Sequence, residues 1–329
     1  MPAIRETTMR AVRYRKYGPP EVLEVAEVPV PAPAAGQVLV KVHASSVNPV
    51  EAQVRAGRMR PVSGFRFPKG IGQDFTGEVV AVGAGADGSL VGRDVWGCVL
   101  AVGAATTAEY VCVKESLVGD LPPGADPVEA AALPTVGLAA LAAVRAVGVG
   151  PGRRALVVGA SGGIGSVALQ LCRALGAEVA AVSAADNAEF CAELGATETY
   201  DYADLGPLAG AAAFDAVIDL HGTSLGAYRG RLGRGGRMVT LAARGMGYAA
   251  LSLVLPGPRV RVTRAKASRD GLAALAGHVT RGELRPVVAK VYPMERIAEA
   301  HRAAETGHSR GKRVVQVVTA RPARSRGEA

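Results

Sequence analysis

The run Ala155-Leu-Val-Val-Gly-Ala-Ser-Gly-Gly-Ile-Gly165 carries the strongest chemical signal in the chain. Apolar residues of strand type lead into a glycine loop. The loop opens a helix with Ile164, Val167, Ala168, Leu171 and Leu175 on one face and Gly176 at its stop. Gly162 lets the backbone approach a pyrophosphate, and Gly165 lets the helix press on the strand. The helix N-terminus adds unpaired N–H groups and the positive end of its dipole. Ala160 stands where the first glycine of such loops often sits, so the phosphate-binding candidates are Ala160, Ser161, Gly162, Gly163, Ile164 and Gly165. A bare glycine pattern is common, whereas a strand before it and a helix after it point to a dinucleotide. The competing reading is a tight strand–helix turn without a ligand.

The next apolar strand ends at Ser183. An Asp or Glu there would bond a ribose 2′-hydroxyl and repel a 2′-phosphate. Ser183 is a neutral donor, which favours NADPH while leaving NADH possible. Asp186 either opposes that phosphate or starts the following helix with Asn187, since both are good N-caps. Metal-binding spacing is not seen. Cys98, Cys112, Cys172 and Cys191 form no C-x-x-C pair, and three lie in apolar runs, as buried thiols in a reducing compartment do. His43, His278, His301 and His308 have no partner at ligand spacing and read as surface or packing residues.

These groups need elements to hold them. The chain has 329 residues, 49% hydrophobic and 4% aromatic, which fits two domains built of α/β layers. The first eight residues read as a loose leader. Short strand-like runs punctuated by Pro and Gly then follow to residue 114, as in an antiparallel barrel or sandwich. After Leu121-Pro-Pro-Gly124 the rhythm changes. A helix is predicted over Pro127–Val147, then strands at Ala155–Val158, Glu178–Val182, Ala216–Leu220 and Arg237–Ala242, with a helix at Ala188–Leu194. Such alternation builds a parallel sheet covered on both faces. A last helix puts Ile297, Ala300, His301 and Ala304 on one face, a strand follows at Arg313–Val318, and the tail from Ala320 is predicted to be disordered.

No apolar stretch is long enough for a membrane span, and no signal core is visible at the N-terminus, so a cytoplasmic protein is expected. The +9 formal charge is carried by scattered Arg residues, without the stripe or aromatic interleaving of a nucleic-acid binder. A general Arg bias, with a few charges serving an anionic cofactor, accounts for it.

With these pieces assembled, the chain from Met9 to about Val318 resembles the zinc-independent quinone oxidoreductase branch of the medium-chain dehydrogenase/reductase superfamily. The segments that carry the likeness include MRAVRYRKYGPPEVLEV, ASSVNPVEAQVRAG, GQDFTGEVVAVG, AALPTVGLAAL, GASGGIGSVALQLCRALGA and GHSRGKRVVQV. The resemblance implies an α/β architecture: a Rossmann doubly wound parallel sheet over residues 123–263, and a β-rich GroES-like catalytic domain from residues 1–122 and 264–329. It also implies a homodimer. It places Asn48 at the reaction site, Thr135 near the nicotinamide carboxamide, and Ser183 and Tyr202 near the 2′-phosphate. Asp186 falls where many NADPH-using relatives carry Lys or Arg, Glu51 replaces a common Asp, and His221 replaces a small apolar residue. His221 either lines the nicotinamide pocket or caps its strand.

Zinc-dependent relatives hold their metal with Cys, His and Cys; the matching positions are Asn48, Gln73 and Thr135, with Asp74 at the outer Glu. No thiolate or imidazole is present among those three. Without a Lewis acid a simple alcohol is a poor substrate. A quinone or α,β-unsaturated carbonyl spreads the developing charge onto oxygen, where hydrogen-bond donors can stabilise it. The expected activity is NADPH-dependent reduction of such an acceptor. An enoyl reductase of acyl chains in secondary metabolism is the alternative enzyme. From another class comes a weakly catalytic NADP(H)-binding sensor or RNA-binding protein. For Asn48 two roles stand: shaping the Asn-Pro turn, or donating to the substrate carbonyl.

Overall fold

The computed structural model describes residues 6–307 and 310–317. The first five residues, His308, Val318 and the tail from Ala320 lie outside the described residues. Six parallel strands form one sheet, in the order Glu198–Asp201, Glu178–Ser183, Arg154–Val158, Phe214–Asp219, Leu232–Thr240, Val260–Val262. The central strand pairs on both sides, Val157 lying beside Ala181 and Ile218, and all three are fully buried. Burial on both faces explains why these strands read as continuous apolar runs.

The second large sheet is assembled from both ends of the chain. Its path runs Val288–Pro293, Lys312–Gln316, Gln37–Ser46, Asp74–Val82, Asp94–Cys98, Val118–Asp120, with Tyr110–Lys114 also paired to Gln37–Ser46. A three-stranded sheet carries Thr8–Tyr14 at its centre, so strand structure begins inside the expected leader. Helix Arg269–Thr280 packs between strand Val118–Asp120 and the helix that carries Gly137: a Cβ on Gly119 would lie 2.9 Å from Leu272, and one on Gly137 would lie 2.7 Å from Leu275.

Further features differ from the sequence reading. The expected helix over Pro127–Val147 is two helices, Pro127–Ala130 and Pro134–Val147. Asp126 caps the first through Val128 and Glu129, and Pro134, lacking an N–H, starts the second rather than continuing the first. The short strands Glu198–Asp201 and Val260–Val262 are additional. Helix Arg269–Thr280 is additional too, with Ser268 capping it through Gly271. Among the described residues no helix is long and apolar enough to cross a membrane.

Candidate active site

The glycine loop leaves strand Arg154–Val158 through Gly159, at φ +80°, and enters helix Gly163–Ala174 with Gly162 as N-cap. No side chain caps this helix, so its first turn offers backbone N–H groups outward. A Cβ on Gly165 would lie 2.2 Å from the Gly159 carbonyl, so this glycine allows the close helix–strand approach. Among the described residues a Cβ on Gly162 would meet only the Gly159 carbonyl, at 3.5 Å. Ala160 is buried and donates its N–H to Val182, while Ser161 and Ile164 stay partly accessible. Exposed His221 follows strand Phe214–Asp219 beside the loop, its N–H bonded to Asp219 Oδ1.

Around the end of strand Glu178–Ser183 the chain brings together four expected residues and one that sequence reasoning missed. Tyr202 donates its backbone N–H to Ser183, whose hydroxyl is buried and turns to the Ala184 carbonyl. Asn187 donates to the Ser161 hydroxyl, joining this corner to the glycine loop. Arg310 then crosses from the C-terminal segment: Nε donates to Asn187 Oδ1 at 2.8 Å and Nη2 to the Asp186 carbonyl at 2.6 Å, with the guanidinium over Phe190. A cation thus stands beside Asp186, supplied from 124 residues away.

The other missed residue is Lys312. Gly311 bridges to the glycine loop, its N–H on the Ser161 carbonyl, and the Lys312 stem packs where a Cβ on Gly163 would sit. Its ammonium ends inside the protein, donating to the Val47 carbonyl at 2.8 Å and to Asn48 Oδ1 at 2.7 Å, with Asp74 Oδ2 at 3.7 Å. Burial pulls the Lys312 ammonium below its ordinary range, and Asp74 and Glu51 pull it back. Asn48 is the hub. Its amide nitrogen donates to Asp74 Oδ2 at 2.8 Å and to Glu51 Oε1 at 3.1 Å, so both of its N–H groups face carboxyl oxygens. Asp74 also accepts from Ser46 and from the Thr135 backbone N–H. The Thr135 hydroxyl is buried without a hydrogen-bond partner among the described residues.

Glu51 is 5% exposed and lines a narrow cleft with Val50, Ile71, Gln73 and Ala101–Ala104. Burial raises its carboxyl to about 7, against smaller lowering by the Asn48 bond and the Lys312 charge. Its Oε2 lies 3.8 Å from Nε2 of His301, a fully buried imidazole that the C-terminal helix pattern put on its inner face.

Zinc does not fit this donor set. Asn48 and Gln73 offer carboxamides and Thr135 a hydroxyl, and an ammonium already neutralises Asp74 where a metal's charge would act. Among the described residues no group of three or more His, Cys, Asp or Glu is placed to hold a metal.

Comparison with known proteins adds names to this geometry. The family described as "Alcohol dehydrogenase GroES-like domain" matches residues 34–123, and "Zinc-binding dehydrogenase" matches residues 194–315. The mitochondrial NAD(P)H oxidoreductase RTN4IP1 of Mus musculus is 33% identical, over 95% of this chain and 90% of its own. The chloroplast envelope quinone oxidoreductase homolog of Arabidopsis thaliana is 30% identical, over 94% and 98%. The structure of the quinone oxidoreductase from Coxiella burnetii superposes with a TM-score of 0.87 at 30% identity, covering 94% of this chain and all of that one.

Proposed function

Because this chain belongs to the quinone oxidoreductase branch of the medium-chain dehydrogenase/reductase superfamily, an oxidoreductase branch that uses a nicotinamide cofactor, we propose that it reduces a quinone or α,β-unsaturated carbonyl with NADPH and without zinc. The observation that carries this reading is the Lys312 ammonium: one side chain spans from the glycine loop to Asn48 and Asp74, where a metal would otherwise supply positive charge. When bound, the cofactor supplies the hydride. The chain's residues do the rest. The loop Ala160–Gly165 would cradle the pyrophosphate, and Thr135, whose hydroxyl is unpaired among the described residues, would take the carboxamide. His221 borders the nicotinamide pocket, and Asn48 sits at the reaction site between ammonium and carboxyl groups. The acceptor would enter beside Asn48 and Glu51, where the narrow cleft, of about 20 Å³, must widen to admit it.

Turnover of NADPH against a panel of quinones, enones, enoyl thioesters and simple alcohols tests the proposal. Oxidation with the conjugated acceptors supports it, with enoyl thioesters separating the enoyl reductase alternative. No oxidation by any acceptor, with salt-dependent retention of RNA, would give the sensor or RNA-binding reading instead.

Cofactor choice follows from the corner at Asp186. The Arg310 guanidinium, with Tyr202 across the corner, favours a 2′-phosphate, while the Asp186 carboxyl opposes it; the Ser183 hydroxyl joins only if it turns away from the Ala184 carbonyl. NADPH should bind more tightly than NADH by about tenfold, near 1.4 kcal/mol. In Arg310→Ala that preference should vanish with NADH affinity unchanged, as read by fluorescence titration. An unaltered ratio would remove Arg310 from the site.

The homodimer and the cytoplasmic location belong to this proposal as well. The apolar residues Met246, Leu251, Leu253, Val254 and Val262 are exposed beside edge strand Val260–Val262, a face that a second copy could cover. A single-chain mass by sedimentation would rule the dimer out. The four cysteines are all free thiols, consistent with a reducing compartment; cell fractionation tests the location. We place the domain division at residues 122/123 and 263/264, with one large sheet on each side; helix Arg269–Thr280 of the catalytic domain then packs against helix Pro134–Val147 of the other.

A further inference from the structure

We propose that Glu51 is the proton donor of the reduction, giving the proton on its Oε2 to the acceptor in the cleft, with His301 as the buried group that positions that oxygen. The proposal rests on the reductase reading above. Hydride addition puts two electrons and one hydrogen on the acceptor and leaves negative charge on its conjugated oxygen. One proton must follow from the protein or from water. Glu51 is the one ionisable side chain among the residues lining the cleft.

The network decides which oxygen holds that proton. Oε1 accepts from Asn48, so the hydrogen belongs on Oε2, the oxygen facing His301. The groups around Glu51 come from four elements: Asp74 on strand Asp74–Val82, Lys312 on the returning strand, His301 on helix Ile297–Glu305, and Arg55 on its own helix, paired outward to Glu305 at 2.5 Å. Asp74 raises the Glu51 carboxyl and Lys312 lowers it, and burial outweighs both, leaving it at about 7. A carboxyl held there is protonated often enough to act as an acid near neutral pH.

His301 has no hydrogen-bond partner at either ring nitrogen among the described residues, an unusual state for a fully buried imidazole. Burial, helped by the Arg55 charge, pushes it down to about 3, so it is neutral in the working range. A neutral imidazole with an unprotonated ring nitrogen can accept the hydrogen on Oε2 and hold that oxygen in place. A shift of about 1 Å closes the 3.8 Å gap to Oε2 to hydrogen-bond distance. In each cycle the Oε2–H bond breaks, an O–H or C–H bond forms on the acceptor, and water entering the cleft as product leaves returns one proton to Glu51. His301 acts as a positioning residue.

The test is the pH dependence of kcat for an enone. In the wild type kcat should fall tenfold per pH unit above about 7, because the acid form of Glu51 is the active one. Glu51→Gln keeps an acceptor for Asn48 but has no acid proton. It should lower kcat by about 100-fold or more, abolish that limb, and leave NADPH affinity unchanged. Glu51→Asp should recover part of kcat with the limb restored. An infrared carboxyl band titrating near pH 7 in the ligand-free protein, absent from Glu51→Gln, reads the same group without turnover. A wild-type kcat that is flat across that range, or a folded Glu51→Gln with wild-type kcat, overturns the proposal. A wild type that oxidises NADPH with no acceptor overturns the reductase reading, and this one with it.

Discussion

A Gly162→Val protein is expected to fold and to lose at least about 100-fold in NADPH affinity, near 2.7 kcal/mol. Gly162 adopts φ −73° and ψ 177°, an extended conformation open to any residue. Among the described residues an added Cβ meets only the Gly159 carbonyl, at 3.5 Å, so the loop has room for it. The branched side chain then fills the space that the pyrophosphate must enter, ahead of the helix N–H groups. Gly165→Val is the contrasting control, because its Cβ would lie 2.2 Å from a backbone oxygen and disrupt the strand–helix packing itself. Circular dichroism and calorimetric titration separate the two outcomes. Undiminished binding by a folded Gly162→Val would put the phosphates elsewhere.

Asn48→Ala should be the most damaging change at the reaction site. The side chain is 3% exposed and holds three charged or ionisable groups apart and in register: Lys312 on its oxygen, Asp74 and Glu51 on its nitrogen. Truncation leaves a buried ammonium and two carboxyl groups short of partners, at a cost of about 3–5 kcal/mol in stability. Turnover should fall with it. Donation from Asn48 to an acceptor oxygen requires one of its two internal bonds to be exchanged, and that donor matters most as charge grows on the oxygen. A loss of about 2–4 kcal/mol of transition-state stabilisation is expected in kcat and kcat/KM alike, greater for an enone than for a quinone. NADPH affinity should stay near wild type. An unchanged melting midpoint with unchanged kcat on both acceptors would reduce Asn48 to a turn residue.

The cofactor half of the molecule was legible because its signals are local. A strand, a glycine loop and an amphipathic helix follow one another within about twenty residues, and the structure forms each where the pattern puts it. The helix carrying His301 was equally plain, its inner face marked by Ile297 and Ala300. What stayed hidden depends on distance along the chain. Lys312 meets Asn48 across 264 residues, and Arg310 meets Asn187 across 123. Both lie in the segment GHSRGKRVVQV that marked the family, yet no periodicity shows where a side chain goes once its strand crosses into another sheet. The broken helix at Ala131–Leu133 was readable in principle. Asp126 before Pro127 and Pro134 seven residues later are two start signals, and a single helix can use only one.

The proposed function has hydride transfer supported by the buried Lys312 ammonium rather than a metal. The most direct test is NADPH oxidation by the 329-residue protein, stripped of metal and assayed with a chelator present, against one enone and one simple aldehyde. Expected is unchanged turnover of the enone, no stoichiometric zinc by elemental analysis before stripping, and negligible reduction of the aldehyde. Stoichiometric zinc that leaves together with the activity, and restores it on return, would contradict the account.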